Sequence, residues 1–311
     1  MTSRILISGS VAYDTIMVFD GHFKDHILPD RVHMLNVSFL APTLKREFGG
    51  CAANIAYTLR ALGGEPTVLA AVGRDGADYV ARMAGLGIDT RSILQCDDLY
   101  TAQAFITTDL ADNQITAFHP GAMGRAHEVS ATLPAAWGIV GPNGKEAMLR
   151  HARELTAAGV SWIFDPGQAM PMFSGDELRA LIADADAITV NDYECALMAE
   201  KTGLTEAEMA ARVGAMIVTR GGDGSVLHHG GRTETIAPLP VADAVDPTGC
   251  GDAYRGGLLY ALARGLGWPV AARLGSVMGA IKIAHAGPQN HPVDRDAVSA
   301  RYRDAYGASP W

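Results

Sequence analysis

Cysteine is scarce in this sequence of 311 residues. The four cysteines are scattered without a C-x-x-C pair, at Cys51, Cys96, Cys195 and Cys250. Zinc sites and dense disulfide frameworks need clustered cysteines, so the sequence indicates neither. We therefore expect buried thiols in a reducing compartment.

Long apolar runs are also missing. No stretch approaches the ~20 uninterrupted apolar residues of a membrane helix. The opening segment, MTSRILISGSVAYDTIMVF, is apolar early, but it carries Asp14 and lacks the basic region and cleavage site of a secretory signal. These absences predict a cytoplasmic protein with no membrane partner.

Positive charge is in deficit. Lys and Arg together number 25 against 34 Asp and Glu, which gives a net charge of −9. This balance argues against a nucleic acid or an anionic membrane surface as the main partner. A small substrate, captured locally, fits the composition better.

Two common nucleotide-binding motifs are absent. The sequence has no G-x-x-x-x-G-K-[ST], because GPNGKE at 141–146 fails both the spacing and the final hydroxyl. The first apolar run ends in ISGSVAYD and not in G-x-G-x-x-G. The mechanism of a P-loop kinase is thus excluded, and a dinucleotide-dependent dehydrogenase is disfavoured.

The pattern that is present alternates short strand-like apolar runs with helix-like segments. RILISGS, NIAYTLRALGG and PTVLAAVG follow one another near the start, and the alternation resumes later. It predicts an α/β fold whose mostly parallel sheet has helices on both faces and ligands at the carboxyl ends of its strands.

Two segments interrupt this alternation with period-two stretches such as TAQAFITTD and QITAFH. They indicate a small antiparallel sheet added to the core. We expect residues 1–13, 49–98 and 120–311 to form the α/β core, and residues 14–48 and 99–119 to form a β-sheet lid.

A short turn at 246–252, DPTGCGD, precedes a run of helical pattern. Its glycines permit a tight backbone path, and the unpaired N–H groups at a helix N-terminus attract phosphate. The amides of Gly249, Cys250 and Gly251 could therefore stabilise a transferring phosphoryl group. Asp252, kept ionised by the helix dipole, could accept the proton of an attacking hydroxyl. The alternative is that Asp252 only caps the helix.

The turn and its helix, DPTGCGDAYRGG, closely resemble the C-terminal signature of the ribokinase (PfkB) family of sugar and nucleoside kinases. Other segments resemble family motifs in the same order, although Asp78 replaces a frequent glycine. They are FGGCAANIAYTLRALGG (48–64), VGRDGAD (72–78) with GLGIDT (85–90), NDYE (191–194) and TRGGDGS (219–225). The resemblance, which covers about residues 5–290, implies a ribokinase-like three-layer α/β/α core with a β-sheet lid.

On the acceptor side, the resemblance assigns sugar binding to Ser10, Asp14, Gly49, Gly50 and Asn54. From the residues alone, Asp14 is equally a turn aspartate and the two glycines equally a tight turn.

On the donor side, the resemblance places Asn191 near the ATP phosphates and lets Glu194 orient Mg²⁺ through water. For Glu194, the competing interpretation is a solvated acid at a helix start. For Thr219, Gly221 and Gly224, which the resemblance places beside the nucleotide, it is a plain hairpin loop. Further residues implied beside the nucleotide are Thr219, Gly221, Gly224, Ala286 and Gly287.

Asp246 and the carbonyl of Thr248 are implied to bind a monovalent cation, with K⁺ as a candidate activator. Two further basic residues, Arg255 and Lys282, are expected on solvated faces, away from phosphate.

Several details favour a nucleoside as the acceptor. In the lid, Leu35, Val37 and Phe39 alternate and could wall a planar base, or could pair with the lid of a second subunit in a homodimer. Phe164 and Gln168, in SWIFDPGQ, could stack on the base and bond its edge. A core phenylalanine and a simple turn compete with that interpretation.

The segments HILPDRVHMLNVSFL, TTDLADNQITAFHPGAM and FDPGQ resemble the bacterial nucleoside kinases of the family. The resemblance implies an ATP- and Mg²⁺-dependent kinase that phosphorylates the 5′-hydroxyl of adenosine, inosine or guanosine. A ribokinase- or fructokinase-like sugar kinase is the alternative.

Overall fold

The computed structural model describes residues 3–27, 36–111 and 113–311. Within them the chain forms two β-sheets, and helices cover both faces of the larger one. The strands are β1 (Arg4–Ser8), β2 (Ala12–Val18), β3 (Thr43–Gly49), β4 (Glu65–Gly73), β5 (Ile93–Cys96), β6 (Ala102–Thr108), β7 (Gln114–His119), β8 (Trp137–Val140), β9 (Trp162–Phe164), β10 (Ala187–Asn191), β11 (Ala215–Thr219), β12 (Ser225–His229) and β13 (Arg232–Ile236). The α-helices are α1 (Cys51–Ala61), α2 (Ala77–Gly85), α3 (Lys145–Ala157), α4 (Gly175–Asp184), α5 (Asp192–Thr202), α6 (Glu206–Ala210), α7 (Cys250–Ala263), α8 (Trp268–Lys282) and α9 (Arg295–Tyr306).

The larger sheet is mostly parallel. Its order across the described residues is β13-β12-β11-β10-β9-β8-β1-β4-β5. Neighbouring strands are parallel except that β12 is antiparallel to both β11 and β13. The hairpins at that end need only short turns, whereas the parallel pairs are joined through helices.

Alternate residues of the central strands enter two separate hydrophobic layers. Ile5 and Ile7 pack with α1, α7 and α8, whereas Leu6 packs with α3, α4 and α5. This division follows from the period of two along a strand, and it explains why both faces of these strands are apolar. The predicted three-layer α/β/α arrangement is confirmed.

The smaller sheet has the order β3-β2-β6-β7. The outer pairs are antiparallel, but the central pair, β2 and β6, is parallel, so the prediction of a purely antiparallel sheet is wrong. Both strands leave the same edge of the larger sheet, β2 after β1 and β6 after β5. They therefore run in the same direction.

The carboxyl ends of the parallel strands form one edge of the larger sheet. Residues just beyond the ends of β8, β9, β10 and β11 line one cavity together with the start of α7. Parallel sheets place ligands at this edge, so the topology brings together segments far apart in sequence.

Candidate active site

The N-terminus of α7 faces this edge. Its N-cap, Gly249, has a φ of +80°, and a Cβ there would lie 2.7 Å from the Cβ of Pro288. Both facts require glycine. The predicted amides of Gly249, Cys250 and Gly251 form a helix N-terminus, where N–H groups lack helical partners. The Cys250 N–H, however, already donates to the Pro247 carbonyl at 3.1 Å.

Asp252 lies in the first turn of α7 and is half-buried. Its Oδ2 accepts a hydrogen bond from Asn54 Nδ2 at 2.8 Å. Burial raises the pKa of Asp252, while the Asn54 hydrogen bond and the Arg255 charge oppose the rise. Loss of solvation is thus the largest effect on the pKa of this carboxyl. That Asp252 is ionised near neutral pH stays a prediction.

A hydrogen-bonded chain that the sequence did not indicate supports Asn54. Gln289 Nε2 donates to Asn54 Oδ1 at 2.9 Å and to the Tyr79 hydroxyl at 2.6 Å. The Tyr79 hydroxyl donates to the Gly49 carbonyl at 2.7 Å, and Arg82 donates to Gln289 Oε1 at 2.6 Å. The chain joins residues from α1, α2 and the loop after α8.

Asp14, on β2, is half-buried beside Gly49, where any Cβ would overlap its carboxylate. Burial raises the pKa of Asp14 to about 6, and the charges of Glu47 and Asp246 add to the rise. The carboxylate of Asp14 also contributes to the raised pKa of Asp252. Two acids that the sequence separates by more than 200 positions are therefore neighbours in the fold.

Gly50 is the N-cap of α1, with a φ of +91°. A Cβ there would lie 2.6 Å from the Ser10 carbonyl oxygen. Ser10 is buried, and its hydroxyl accepts the N–H of Cys51 at 3.0 Å. Ser10 and Gly50 thus shape the start of α1, and their contact with substrate stays a prediction.

A cavity of about 600 Å³ extends from Asp252 along the strand edge. Asn191, Glu194, Thr219, Gly221 and Gly224 line it, as does an apolar wall of Leu239, Val241, Ala280 and Ile283. No motif marked that wall, because its residues come from an irregular loop and from the last turns of α8. The cavity joins a polar end to an apolar end.

Asn191 and Glu194 form a capping box at the start of α5. The Asn191 side chain accepts the Glu194 N–H at 2.7 Å, and Glu194 Oε2 accepts the Asn191 N–H at 2.8 Å. Burial raises the pKa of Glu194, and the Asp165 charge adds to the rise. The box holds both side chains at the cavity while satisfying the helix N-terminus.

Arg255 is buried, so the prediction of a solvated face is wrong for it. Its guanidinium pairs with the buried Asp165 carboxylate, with Nη2 donating to Oδ1 at 2.7 Å, and Nη1 donates to the Gly251 carbonyl at 3.1 Å. Burial would lower the pKa of Arg255, but the charge and hydrogen bond of Asp165, together with the charges of Glu194 and Asp252, outweigh burial and the pKa is raised. The pair fixes α7 against the end of β9.

Lys282 is also buried, at 0% exposure, and its predicted solvated face is likewise wrong. Nζ donates to the carbonyl oxygens of Asp246 and His285 at 2.6 and 3.0 Å. The Asp246 carboxylate, meanwhile, accepts the N–H groups of Thr248 and Gly287, each at 2.8 Å. These bonds lower the pKa of Asp246 against the effect of burial.

Ala286 and Gly287 are not among the residues that line the cavity, and their place beside the adenine stays a prediction. Gly287 has a φ of +77° and turns its N–H to Asp246. Ala280 and Ile283, nearer the end of α8, line the cavity instead.

Phe164 cannot stack on a ligand here, which corrects that prediction. It is fully buried among Trp162, Met170 and Val190, because its position on β9 points into the core. Gln168 is exposed and lines the cavity, so its contact with a base stays a prediction.

The predicted lid wall lies partly outside the described residues, since Leu35 does. Val37 is half-buried. The Phe39 ring packs on Phe19 and Phe23, with centroids 4.9 and 5.0 Å apart.

The N-terminus of α7 faces a cavity and carries a carboxyl of raised pKa in its first turn. This arrangement suits a phosphotransferase with an alcohol acceptor. The model of the pfkB family of carbohydrate kinases matches residues 9–295. The chain belongs to this family.

The chain is similar to several solved structures along nearly its whole length. Burkholderia thailandensis nucleoside kinase in complex with inosine is 48% identical, with a TM-score of 0.89 and coverage of 98% of this chain and 99% of that one. Its complex with ADP-inosine is 50% identical, with a TM-score of 0.87 and coverage of 98% and 97%. Methanocaldococcus jannaschii nucleoside kinase is 26% identical, with a TM-score of 0.88 and coverage of 97% and 99%. The ribokinase-like fold is thus confirmed.

The described residues contain neither a metal-binding cluster nor a membrane-spanning helix. No three His, Cys, Asp or Glu side chains there are grouped so that they could hold a metal ion by themselves. No helix in the described ranges combines the length and apolar character needed to cross a bilayer.

Proposed function

We propose that this kinase transfers the γ-phosphoryl group of ATP to the 5′-hydroxyl of a purine ribonucleoside. The observation that carries the proposal is the Asp252–Asn54 pair, whose carboxylate lines the 600 Å³ cavity and is close enough to Asp14 for the two charges to interact. The neighbour solved with ADP-inosine supports a nucleoside acceptor and an adenine nucleotide donor.

Asp252 is the proposed general base. Its raised pKa brings the carboxylate closer to the pKa of a proton acceptor that works near neutral pH. Asn54 orients one carboxylate oxygen and leaves the other for the substrate hydroxyl. The amides at the start of α7 are fixed dipoles that stabilise charge on the phosphoryl group.

Asp14 is the proposed ribose anchor. An ionised carboxylate accepts two hydrogen bonds from vicinal hydroxyls, and the lack of a side chain at Gly49 leaves room for that carboxylate. Ser10 and Gly50, at the start of α1, complete this end of the site.

Mg²⁺ is assigned to the Asn191–Glu194 end of the cavity. Mg²⁺ keeps several waters and takes one or two protein carboxylates plus substrate phosphates, so the absence of a larger acidic cluster in the described residues fits this chemistry. When bound, the ion would neutralise charge on the phosphates. Thr219, Gly221 and Gly224 would border the nucleotide, and the apolar wall would hold its adenine.

K⁺ fits the Asp246 carboxylate poorly. Both Asp246 carboxylate oxygens already accept backbone N–H groups, and the Lys282 ammonium lies 3.8 Å from Oδ2. No step of the mechanism is therefore assigned to a bound K⁺ ion.

The lid and the location complete the proposal. The smaller sheet carries exposed apolar side chains, and we propose that they pair with the lid of a second copy, so that the mass in solution is that of a dimer. They include Leu44, Phe105 and Ile115, which lie on one face of the sheet. Use of ATP and four free cysteines support a cytoplasmic location.

The test is ATP-dependent ADP release with Mg²⁺ against adenosine, inosine, guanosine, cytidine, ribose and fructose. We expect turnover on the purine nucleosides. Turnover confined to ribose or fructose would replace this proposal with a sugar kinase and would leave Gln168 without a role at a base. No turnover on any acceptor would remove the proposed function.

A further inference from the structure

Lys282 is an unusual lysine, because its ammonium group is enclosed in the protein. The side chain is 0% exposed. Its Nζ donates to two backbone carbonyls, of Asp246 and His285, and lies 3.8 Å from the Asp246 carboxylate. A buried charge is costly unless it is paired and hydrogen-bonded, and this one is both.

The partners of this ammonium are those that a monovalent metal cation would take. Backbone carbonyl oxygens and a carboxylate are hard oxygen donors, and here they come from two chain segments. One segment precedes α7 and the other follows α8. The N–H groups of Val245 and Asp246 also bond one carbonyl, that of Ile283, at 2.8 and 3.1 Å, so the ammonium lies within a joint between the two segments.

Both segments run directly into the active site. Three residues after Asp246, Gly249 caps α7, and it is in close contact with Pro288 of the second segment. The next residue, Gln289, holds Asn54, which in turn holds Asp252. A charge that holds these segments together therefore affects both the amides at the start of α7 and Asp252, the proposed general base.

We propose that Lys282 is a tethered cation for this joint, and that it takes the place of an exchangeable K⁺ ion, so that the kinase works without K⁺. Lys282 is a positioning residue, because it acts through the two segments and touches neither substrate. The expected effect of Lys282 on kcat rests on the proposed kinase function, whereas the expected effect of K⁺ on the Tm of a Lys282 variant does not.

The test compares the natural enzyme with Lys282→Ala and Lys282→Met in buffers of equal ionic strength that contain NaCl, KCl, NH₄Cl or choline chloride. Alanine makes room for an ion, whereas methionine fills the space with an uncharged chain of similar length. Lys201→Ala is the matched control, because Lys201 also donates to a backbone carbonyl, that of Phe173 at 2.9 Å, but in another layer.

We expect the natural enzyme and the Lys201 variant to turn over equally in all four salts. In NaCl, Lys282→Ala should lose kcat by about tenfold or more, because small displacements of reacting groups are costly. KCl or NH₄Cl should restore it with saturation. KCl should also raise the Tm of Lys282→Ala above its value in NaCl, and should leave the Tm of the natural enzyme and of Lys282→Met unchanged.

Several results would overturn the inference. The first is severalfold activation of the natural enzyme by K⁺, and the second is full kcat of Lys282→Ala in NaCl. The third is a loss of kcat and of Tm in Lys282→Ala that no cation restores. A Lys282→Ala protein that fails to fold in both NaCl and KCl would also overturn it. If no acceptor is phosphorylated but KCl selectively stabilises Lys282→Ala, the proposed function falls and the tethered cation stands.

Discussion

At the scale of single residues, Asp252 carries the most direct prediction. Asp252→Asn preserves the shape of the side chain and its hydrogen bond from Asn54 but removes the proton acceptor. We expect kcat to fall by ~10²–10⁴-fold with nucleoside affinity nearly unchanged. Steady-state kinetics and calorimetric titration of nucleoside measure the two quantities. Asp97→Asn, in an exposed turn after β5, is the control, and an unchanged kcat in Asp252→Asn would remove the mechanism.

The raised pKa of Asp14 predicts that nucleoside binding depends on pH. Its pKa of about 6 lies above the ordinary value because of burial, so the carboxylate is ionised above pH 6 and protonated below it. Only the ionised form accepts two ribose hydroxyls. We expect kcat/KM for the nucleoside to decline below pH 6, by up to about tenfold per unit.

Asp14→Asn separates this titration from that of Asp252, whose pKa is also raised. Calorimetric titration of the nucleoside without ATP isolates the binding step from catalysis by Asp252. Below pH 6 the Kd of the natural enzyme should rise, whereas the Kd of Asp14→Asn should be higher throughout and should not change with pH there. If the Kd of Asp14→Asn still rises below pH 6, another group is responsible and the assignment to Asp14 is wrong.

Sequence reasoning at this scale identified residues by their motifs but could not judge their burial. It brought Asn54 and Asp252 into one site, and their side chains are hydrogen-bonded. It placed Arg255 and Lys282 in solvent, since long basic side chains are usually exposed, and it placed Phe164 at a ligand. Burial depends on which elements pack together, and a local pattern does not contain that information.

At the scale of elements, the loop after α8 is tested through Gln289. Gln289→Leu removes the partner of Asn54 and of the Tyr79 hydroxyl, and leaving buried polar groups unpaired costs ~1–3 kcal/mol. We expect a lower Tm together with about a tenfold loss of kcat, while KM for ATP changes little.

Gln289→Glu refines this test, because its carboxylate can still accept from Arg82 but cannot donate to Asn54. It should therefore recover part of the lost stability and none of the lost kcat. Asn290→Ala, at the exposed neighbouring position, is the control. A Gln289→Leu enzyme with a lower Tm and an unchanged kcat would make Gln289 a purely structural residue.

Elements were the most predictable level of this structure. Apolar runs gave the parallel strands, and their alternation with helices gave the three layers. The direction of β6 relative to β2 was not foreseen, because it depends on where two distant segments leave the larger sheet. The apolar wall of the cavity was not foreseen either, since Leu239 and Val241 lie in a loop without a recognisable pattern.

At the scale of the whole molecule, the two proposed anchors of the acceptor belong to different sheets. Asp14 lies on β2 of the smaller sheet, and Asp252 lies at the head of α7, which packs on the larger one. A kinase must exclude water from the phosphoryl group, and a small sheet that carries one anchor can do so by closing over the other. The proposed lid is therefore expected to move when both ligands are bound.

Small-angle scattering tests this closure. With nucleoside and a non-hydrolysable ATP analogue together, the radius of gyration should decrease, whereas either ligand alone should produce a smaller change. Asp252→Asn should close as the natural enzyme does, because it keeps the binding groups and lacks only the base. The forward scattering gives the mass and so tests the proposed lid-to-lid dimer in the same samples. Identical curves with and without both ligands would show that the smaller sheet is a fixed wall, and the exclusion of water would then have to come from the nucleotide itself.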